Sequence, residues 1–410
     1  MSGPSDLIVG WCPGALRPME SGDGLIVRVR PRLSRVSLVQ LETLMQAAQR
    51  FGDGSLYLSN RANVQIRGVT AHGHTGLLDV LAGASLIDSD ARIEAVRNIM
   101  VPPAVELSAH AGLAWGLVAR LEDVLAKNEA LYQLPGKFGI AVQAGNEIDS
   151  AAMSDVTFIV EGNEIAMVPE GAAGEAFLFG STVAAAEGFV RLAVAFLRLR
   201  RAQSAIRRMR DAVALLGMEA LSREAGLPLI AHGLPQAEAP ALLGNLGEAF
   251  GIGFTFGEIG RDALLQITAL MRRECIAEAA ISPHRALVFP AQEQERAALE
   301  DLAKRIDGIT DPNDIRLRLH GCPGTPACQR ATVAARHDAE AVLQALGDAG
   351  FKGTIHISGC EKRCAYPHNA DITAIGAEGR YTVTGPGTRT LNGVAGADLP
   401  GLIAELAGAA

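Results

Sequence analysis

The chain has 410 residues, 49% of them hydrophobic and 20% charged, with a formal net charge of -8. That length exceeds one ordinary core and predicts two or three domains; the acidic balance argues against general nucleic-acid binding. The most apolar stretch, 183–199, is broken by Glu187, Arg191 and Arg198 and predicts a core helix rather than a membrane span. Residues 1–20 lack a basic start followed by an apolar run and a cleavage site, so a cytoplasmic protein is expected.

In chain order, 25–30 predicts a strand, 38–51 a helix, and 55–67 a strand pair or one long bent strand. Arg97-Asn98-Ile99-Met100-Val101-Pro102-Pro103 reads as a strand and proline turn before a helix over 106–128. Gly139-Ile140-Ala141-Val142-Gln143 is a further strand, followed by Asp155-Val156-Thr157-Phe158-Ile159. Residues 200–227 are arginine-rich and helical, a solvated connector. Later segments repeat this order. Smaller elements at 239–250, 260–269 and 286–289 precede a proline turn at 318–324 and a helix over 329–346. The strand from Thr354-Ile355-His356 and then Asp371-Ile372-Thr373 complete the copy. Beyond Gly393 the Ala- and Gly-rich tail is expected to be only partly ordered. The correspondence predicts a pseudo-twofold α+β protein with a site between its halves. The expected divisions are 1–75 and 226–295, two small β-rich units, and 76–225 and 296–410, two αβ units.

Four cysteines fall in two close pairs, Cys322/Cys328 and Cys360/Cys364, both on glycine- and proline-bearing loops. Five residues inside the first pair exceed the usual spacing of structural zinc ligands, and disulfides need an oxidising compartment. Four thiolates in two pairs are what a [4Fe–4S] cluster needs. Cys328 is expected to start the following helix, where amide dipoles favour a thiolate. Cys275 is expected to pack inside a helix over 271–280, and Cys12 to be a buried thiol. His320, His356 and His368 lie close to the cysteines without a recognisable metal-ligand spacing, and are read as ordinary loop or core histidines.

A second feature is a polar strand face. Counted as a strand, Arg61, Asn63, Gln65 and Arg67 share one side, while Ala62, Val64 and Ile66 share the other. Arg28, Arg30 and Arg32 align in the same way. Guanidinium and amide donors on one face suit a ligand with several carboxylates. The second copy keeps Arg285 but has Leu287 and Phe289 at the polar positions.

Gly24-Leu25-Ile26-Val27-Arg28-Val29-Arg30-Pro31, the run from Tyr57 to Gly68 and the four cysteines resemble the sirohaem-type nitrite and sulfite reductase superfamily. The implied fold has ferredoxin-like half domains and two αβ domains around a tetrapyrrole beside a [4Fe–4S] cluster. Within the superfamily the chain resembles the precorrin-3B synthases. The segment from Cys12 to Gly24 is similar to their opening, and Pro135-Gly136-Lys137-Phe138-Gly139 keeps one of the two lysines that bind sulfite, with Gly139 at the second position. The resemblance implies oxygen-dependent hydroxylation of precorrin-3A, with lactone formation, on the aerobic route to cobalamin. It implies a non-haem iron as a further cofactor, and O2 and an external electron donor (NADH through a reductase) as partners. It makes Arg28, Arg97 and Lys137 candidate catalytic residues. Arg30, Arg61, Asn63, Gln65 and Arg67 are then candidate carboxylate-binding residues. Two alternatives stay open: a sirohaem-dependent sulfite or nitrite reductase, and a non-catalytic carrier of tetrapyrrole or electrons. Neither nucleic acid nor membrane is an expected partner.

Overall fold

In the computed structural model the duplication appears as an exchange of strands between the two halves. The structure describes residues 13–145, 147–149, 154–231, 233, 237–238, 242–347, 350–366, 369–388 and 390–408. Cys12 and His368 lie outside the described residues. Met19–Ser21, Gly24–Val29, Val64–Val69 and Leu56–Leu58 form one sheet, and its fifth strand, Glu258–Ile259, comes from the second half. Reciprocally, Gly244–Asn245, Ala249–Gly253, Ala286–Pro290 and Glu278–Ser282 accept Arg35–Ser37 from the first half. Tyr57 faces Glu258 in one exchange, and Val36 faces Ala279 in the other.

Each exchanged strand follows a single 3-10 turn whose middle residue is left-handed, Leu33 at φ 57° and Phe256 at φ 55°. Bulky residues seldom adopt that conformation, so its recurrence at equivalent places marks a duplicated unit. Helix Leu38–Phe51 starts at a capping box, in which the Ser37 hydroxyl accepts from the Gln40 N–H and the Gln40 side chain accepts from the Ser37 N–H. It buries Leu41, Leu44 and Met45, while its counterpart Arg261–Arg273 buries Leu264, Ile267 and Leu270. The two helices pack together, and Val27, Ile66, Ile252, Ile281 and Phe289 from both halves share one core. Neither small unit therefore closes its core alone.

The αβ units repeat as well. Ile99–Met100, Ile140–Ala144 and Val156–Glu161 run parallel, then Glu164–Pro169 and Glu175–Phe179 turn antiparallel. Leu319–Gly321, Ile355–Ser358 and Ile372–Ala377 run parallel, and Arg380–Thr384 and Thr390–Val394 follow antiparallel. The aspartate met twice in the sequence has one task in both copies. Asp155 Oδ2 accepts the Gly139 N–H at 2.9 Å, and Asp371 Oδ2 accepts the Thr354 N–H at 2.7 Å. Each carboxylate thereby closes the mouth of a parallel strand pair.

Several expectations need correction. The tail is ordered among its described residues: helix Leu399–Gly408 buries Leu399, Ile403 and Leu406 against Ala335–Leu346. Its small residues permit close helix packing, which composition alone conceals. The helix before Cys275 ends at Arg273, and Cys275 is exposed with φ 55°. Helix Ala335–Leu346 begins well after Cys328, which sits in the preceding turn. The 200–227 connector is helical over Met209–Ala225 with a break at Gly217, and Arg208 is more than a solvated face, since it clasps Asp155. Among the described residues, no helix is long and apolar enough to cross a membrane.

Candidate cluster and ligand site

Sheet register brings the cysteine pairs together. Leu319–Gly321 and Ile355–Ser358 are adjacent and parallel with Gly321 opposite Ile357, so both loops leave the same edge. The Cys322 N–H continues the ladder by donating to the Ile357 carbonyl at 3.1 Å. The Cys322 sulfur in turn accepts the Gly359 N–H at 3.0 Å. Gly324 is held at φ 71°, and a Cβ there would meet the Ala335 nitrogen at 2.3 Å. Only glycine lets this loop fold so tightly.

Burial pushes the Cys322 thiol up, the Gly359 and Gly324 N–H groups oppose the shift, and the charges of Cys328 and Cys360 add to it. Desolvation also raises the Cys364 thiol at the exposed rim, with Lys362 opposing and Cys322, Cys360 and Cys328 adding. Each of the four sulfurs therefore lies within electrostatic reach of others in the quartet. Among the described residues no three Cys, His, Asp or Glu side chains converge as a single bound ion would require.

The first sheet grips the loop between Cys322 and Cys328. The Ala327 carbonyl accepts from Ser21 Oγ at 2.6 Å, from the Gly22 N–H at 3.2 Å and from Arg67 Nη2 at 3.1 Å. Asp23 Oδ2 anchors Arg67 Nε at 2.9 Å. A Cβ on Gly22 would lie 2.0 Å from the Pro326 carbonyl oxygen. Gly22→Ala is therefore expected to push this loop off the sheet and cost about 1–3 kcal/mol, read as a lower thermal midpoint; an unchanged midpoint would show that the hairpin does not hold the loop.

The polar face survives in part. Arg28, Gln65, Tyr57 and Glu258 form one cross-strand row over four strands. The Tyr57 hydroxyl donates to Asp53 Oδ2 at 2.8 Å; burial and then the Glu258 and Asp53 charges hold it neutral, well above the usual phenol range. Arg61 and Asn63 lie in a turn before Val64, because Ala62 is left-handed at φ 52° and interrupts the alternation. Arg61 Nη1 donates to the Lys137 carbonyl at 3.0 Å, which brings Arg61 beside the exposed Lys137. Asn63 is buried. Arg30 and Arg97 serve the scaffold: Arg30 donates to the Glu94 carbonyl. Arg97 Nε bonds both Asp88 oxygens at 3.1 and 2.9 Å, and Arg97 Nη2 donates to the Arg30 carbonyl at 2.9 Å. At Gly139 a Cβ would meet Ser154 Oγ at 2.7 Å and Asn98 Nδ2 at 3.1 Å, so a second lysine does not fit without local repacking.

Behind the cysteines, His320 and His356 are register partners. Tyr366, two residues after Cys364, stacks on His320 with centroids 4.2 Å apart and meets His356 edge-on at 6.2 Å. His356 is wholly buried, with neither ring nitrogen hydrogen-bonded. Burial, then the Arg363 charge, lowers its pKa to about 4. Unfolded histidine takes a proton near pH 6.5, so this contribution to stability is complete above that pH and is lost as pH falls toward the folded value. A loss of about 2–3 kcal/mol is expected over that window. Urea unfolding against pH, compared with His356→Phe, reads it; equal slopes in both proteins would refute the assignment. Neither Tyr366 nor Tyr57 carried a sequence signal, since both gain meaning only from the packing of distant strands.

The exchanged strands and the paired cysteine loops at one sheet edge belong to an architecture with a solved counterpart. Residues 17–84 match the Nitrite/Sulfite reductase ferredoxin-like half domain. The NirA protein of Mycobacterium tuberculosis superposes with a TM-score of 0.72 at 19% identity, over 93% of this chain and 79% of that one. More particularly, the sequence is similar to precorrin-3B synthase from Sinorhizobium sp. It is 25% identical over 387 residues, covering 91% of this chain and 82% of the relative. Ferredoxin–nitrite reductase from Synechococcus elongatus is 25% identical over 461 residues, covering 97% and 88%. The chain thus shares the fold of the NirA protein, matches the ferredoxin-like half domain over residues 17–84, and is similar in sequence to precorrin-3B synthase and to ferredoxin–nitrite reductase.

Proposed function

We propose that this protein is an oxygen-dependent oxidoreductase that hydroxylates precorrin-3A with lactone formation, as a precorrin-3B synthase does. The supporting observation is the delivery of Cys322, Cys328, Cys360 and Cys364 to one edge of a sheet, in a chain similar along most of its length to such a synthase. In this reading those four cysteines hold a [4Fe–4S] cluster, which supplies single electrons when bound.

The other residues bind and orient. Arg28 and Gln65, on the shared row, and Arg61 with Lys137, in the turn before Val64 and the loop beside it, take substrate carboxylates through charge-assisted hydrogen bonds. Arg67 steadies the cysteine loop through Ala327, and Arg30 and Arg97 keep the surrounding backbone in place. Fixing several carboxylates at once holds one ring carbon in a single pose, as regioselective hydroxylation requires. Arg61→Ala should weaken precorrin-3A binding roughly tenfold or more; unchanged binding at low and moderate salt would remove Arg61 from this role.

A second reading, a sirohaem-dependent nitrite reductase, draws on the similarity to the Synechococcus enzyme; the crowding at Gly139 weighs against the sulfite variant. Incubating anaerobically purified protein with precorrin-3A, an electron donor and O2 separates the readings. Oxygen-dependent mass gain of the precorrin is expected. Extractable sirohaem with nitrite reduction and no precorrin turnover would favour the reductase.

A further inference from the structure

Two arginines outside the polar row flank the cysteine loops. Arg336 lies in the first turn of helix Ala335–Leu346, and its Nη2 reaches the carbonyl of Gly321, the residue before Cys322, at 3.4 Å. Arg285, left-handed at φ 60° in the turn before Ala286–Pro290, reaches the carbonyl of Ala365, the residue after Cys364, also at 3.4 Å. Phe256 and Gly257 lie between them. The Arg336 guanidinium sits 4.1 Å over the Phe256 ring, and a Cβ on Gly257 would come within 3.1 Å of Arg285 Cδ.

The local charge is only partly offset, by Glu258 and Glu340 within electrostatic reach of Arg336. The Arg336 side chain is 20% exposed, and its ion pair with Glu258 is loose at 3.8 Å. Its Nε and Nη1 have no hydrogen-bond partner. Burial, then repulsion from Arg336, lowers the Arg285 pKa to about 10. Two like charges in a partly desolvated place are costly unless an anion offsets them. Cys322 lies within electrostatic reach of Arg336.

We propose that Arg285 and Arg336 are positioning residues forming the counter-charge of a cluster bound by the four cysteines, and that they raise its reduction potential. The inference rests on the cluster assignment above. A cluster with four thiolate ligands gains negative charge on reduction, so fixed positive charge beside it stabilises the reduced form. Redox titration of the as-isolated holoprotein, followed by the electron paramagnetic resonance of the reduced cluster, tests it. Arg285→Met and Arg336→Met should each make the midpoint more negative, by at least a tenfold change in the reduced-to-oxidised ratio, or about 59 mV for one electron. Arg285→Lys and Arg336→Lys, which keep the charge, should stay near wild type. If the Met variants lose the cluster while the Lys variants keep it at wild-type potential, the charge requirement stands. Unchanged midpoints in the Met variants, or cluster loss in the Met and Lys variants alike, would overturn the proposal and leave the cluster assignment intact. Wild-type protein without acid-labile sulfide would remove both.

Discussion

Cys322→Ser is expected to abolish precorrin turnover, by at least roughly a hundredfold, while leaving the fold in place. Cys322 directly follows the parallel edge strand Leu319–Gly321, is buried, and accepts the Gly359 N–H at its sulfur. Serine fits that space and keeps the backbone ladder, but its hydroxyl is not deprotonated near neutral pH and is a poor ligand for iron. Disturbing even the groups behind a metal ligand commonly costs ten- to a hundredfold, so loss of the ligand itself should cost no less. Far-UV circular dichroism, visible absorption and turnover should be measured together. Cys275→Ser is the control, because that thiol is exposed and past the end of its helix. Full turnover in Cys322→Ser, or equal losses in both variants, would contradict the assignment.

Asp155→Ala is expected to be the most destabilising single substitution in the first αβ unit, at about 3–5 kcal/mol. Asp155 is fully buried. It accepts the Gly139 N–H at 2.9 Å, Arg208 Nε and Nη2 at 2.8 Å each, and the Met209 N–H at 3.1 Å. Alanine would leave Arg208 without its buried partner and strip the acceptor from two backbone donors. Asp371 has the equivalent place but a milder one. The Thr354 N–H and hydroxyl hold its carboxyl below the usual carboxylate range at an exposed site. Asp371→Ala should therefore cost only about 1 kcal/mol. Thermal unfolding of both variants makes the comparison, and equal losses would show that capping alone, without the buried ion pair, accounts for the effect.

That contrast illustrates what the sequence discloses. The spacing of Ile140 and Asp155 against Ile355 and Asp371 exposed the duplication, because a parallel pair with a capping carboxylate needs similar residues at nearly the same interval. The strand exchange left no such trace. Arg35–Ser37 and Glu258–Ile259 are too short to show a period, and their partners lie far away in the chain. The cysteine quartet was legible because ligand spacing is local chemistry. The helix expected at Cys328 was misplaced because apolar period ran on through the turn before Ala335. On the polar face, counting alternation from Arg61 ignored the left-handed Ala62. Gln65 stands opposite Arg28 on the neighbouring strand, a pairing that the counting did not reach, whereas Arg61 reaches the Lys137 loop. Side-chain pairing was least legible. Nothing in the composition of Arg30, Arg67 or Arg97 says that Glu94, Asp23 and Asp88 stand next to them.

The central claim is that two cysteine loops, carried on neighbouring parallel strands, hold one iron–sulfur cluster. Iron and acid-labile sulfide should be assayed in protein isolated without exposure to air. Acid-labile sulfide with at least as much iron is predicted, the sulfide being lost in Cys322→Ser. Protein free of sulfide, or thiols occupied by zinc, would contradict it.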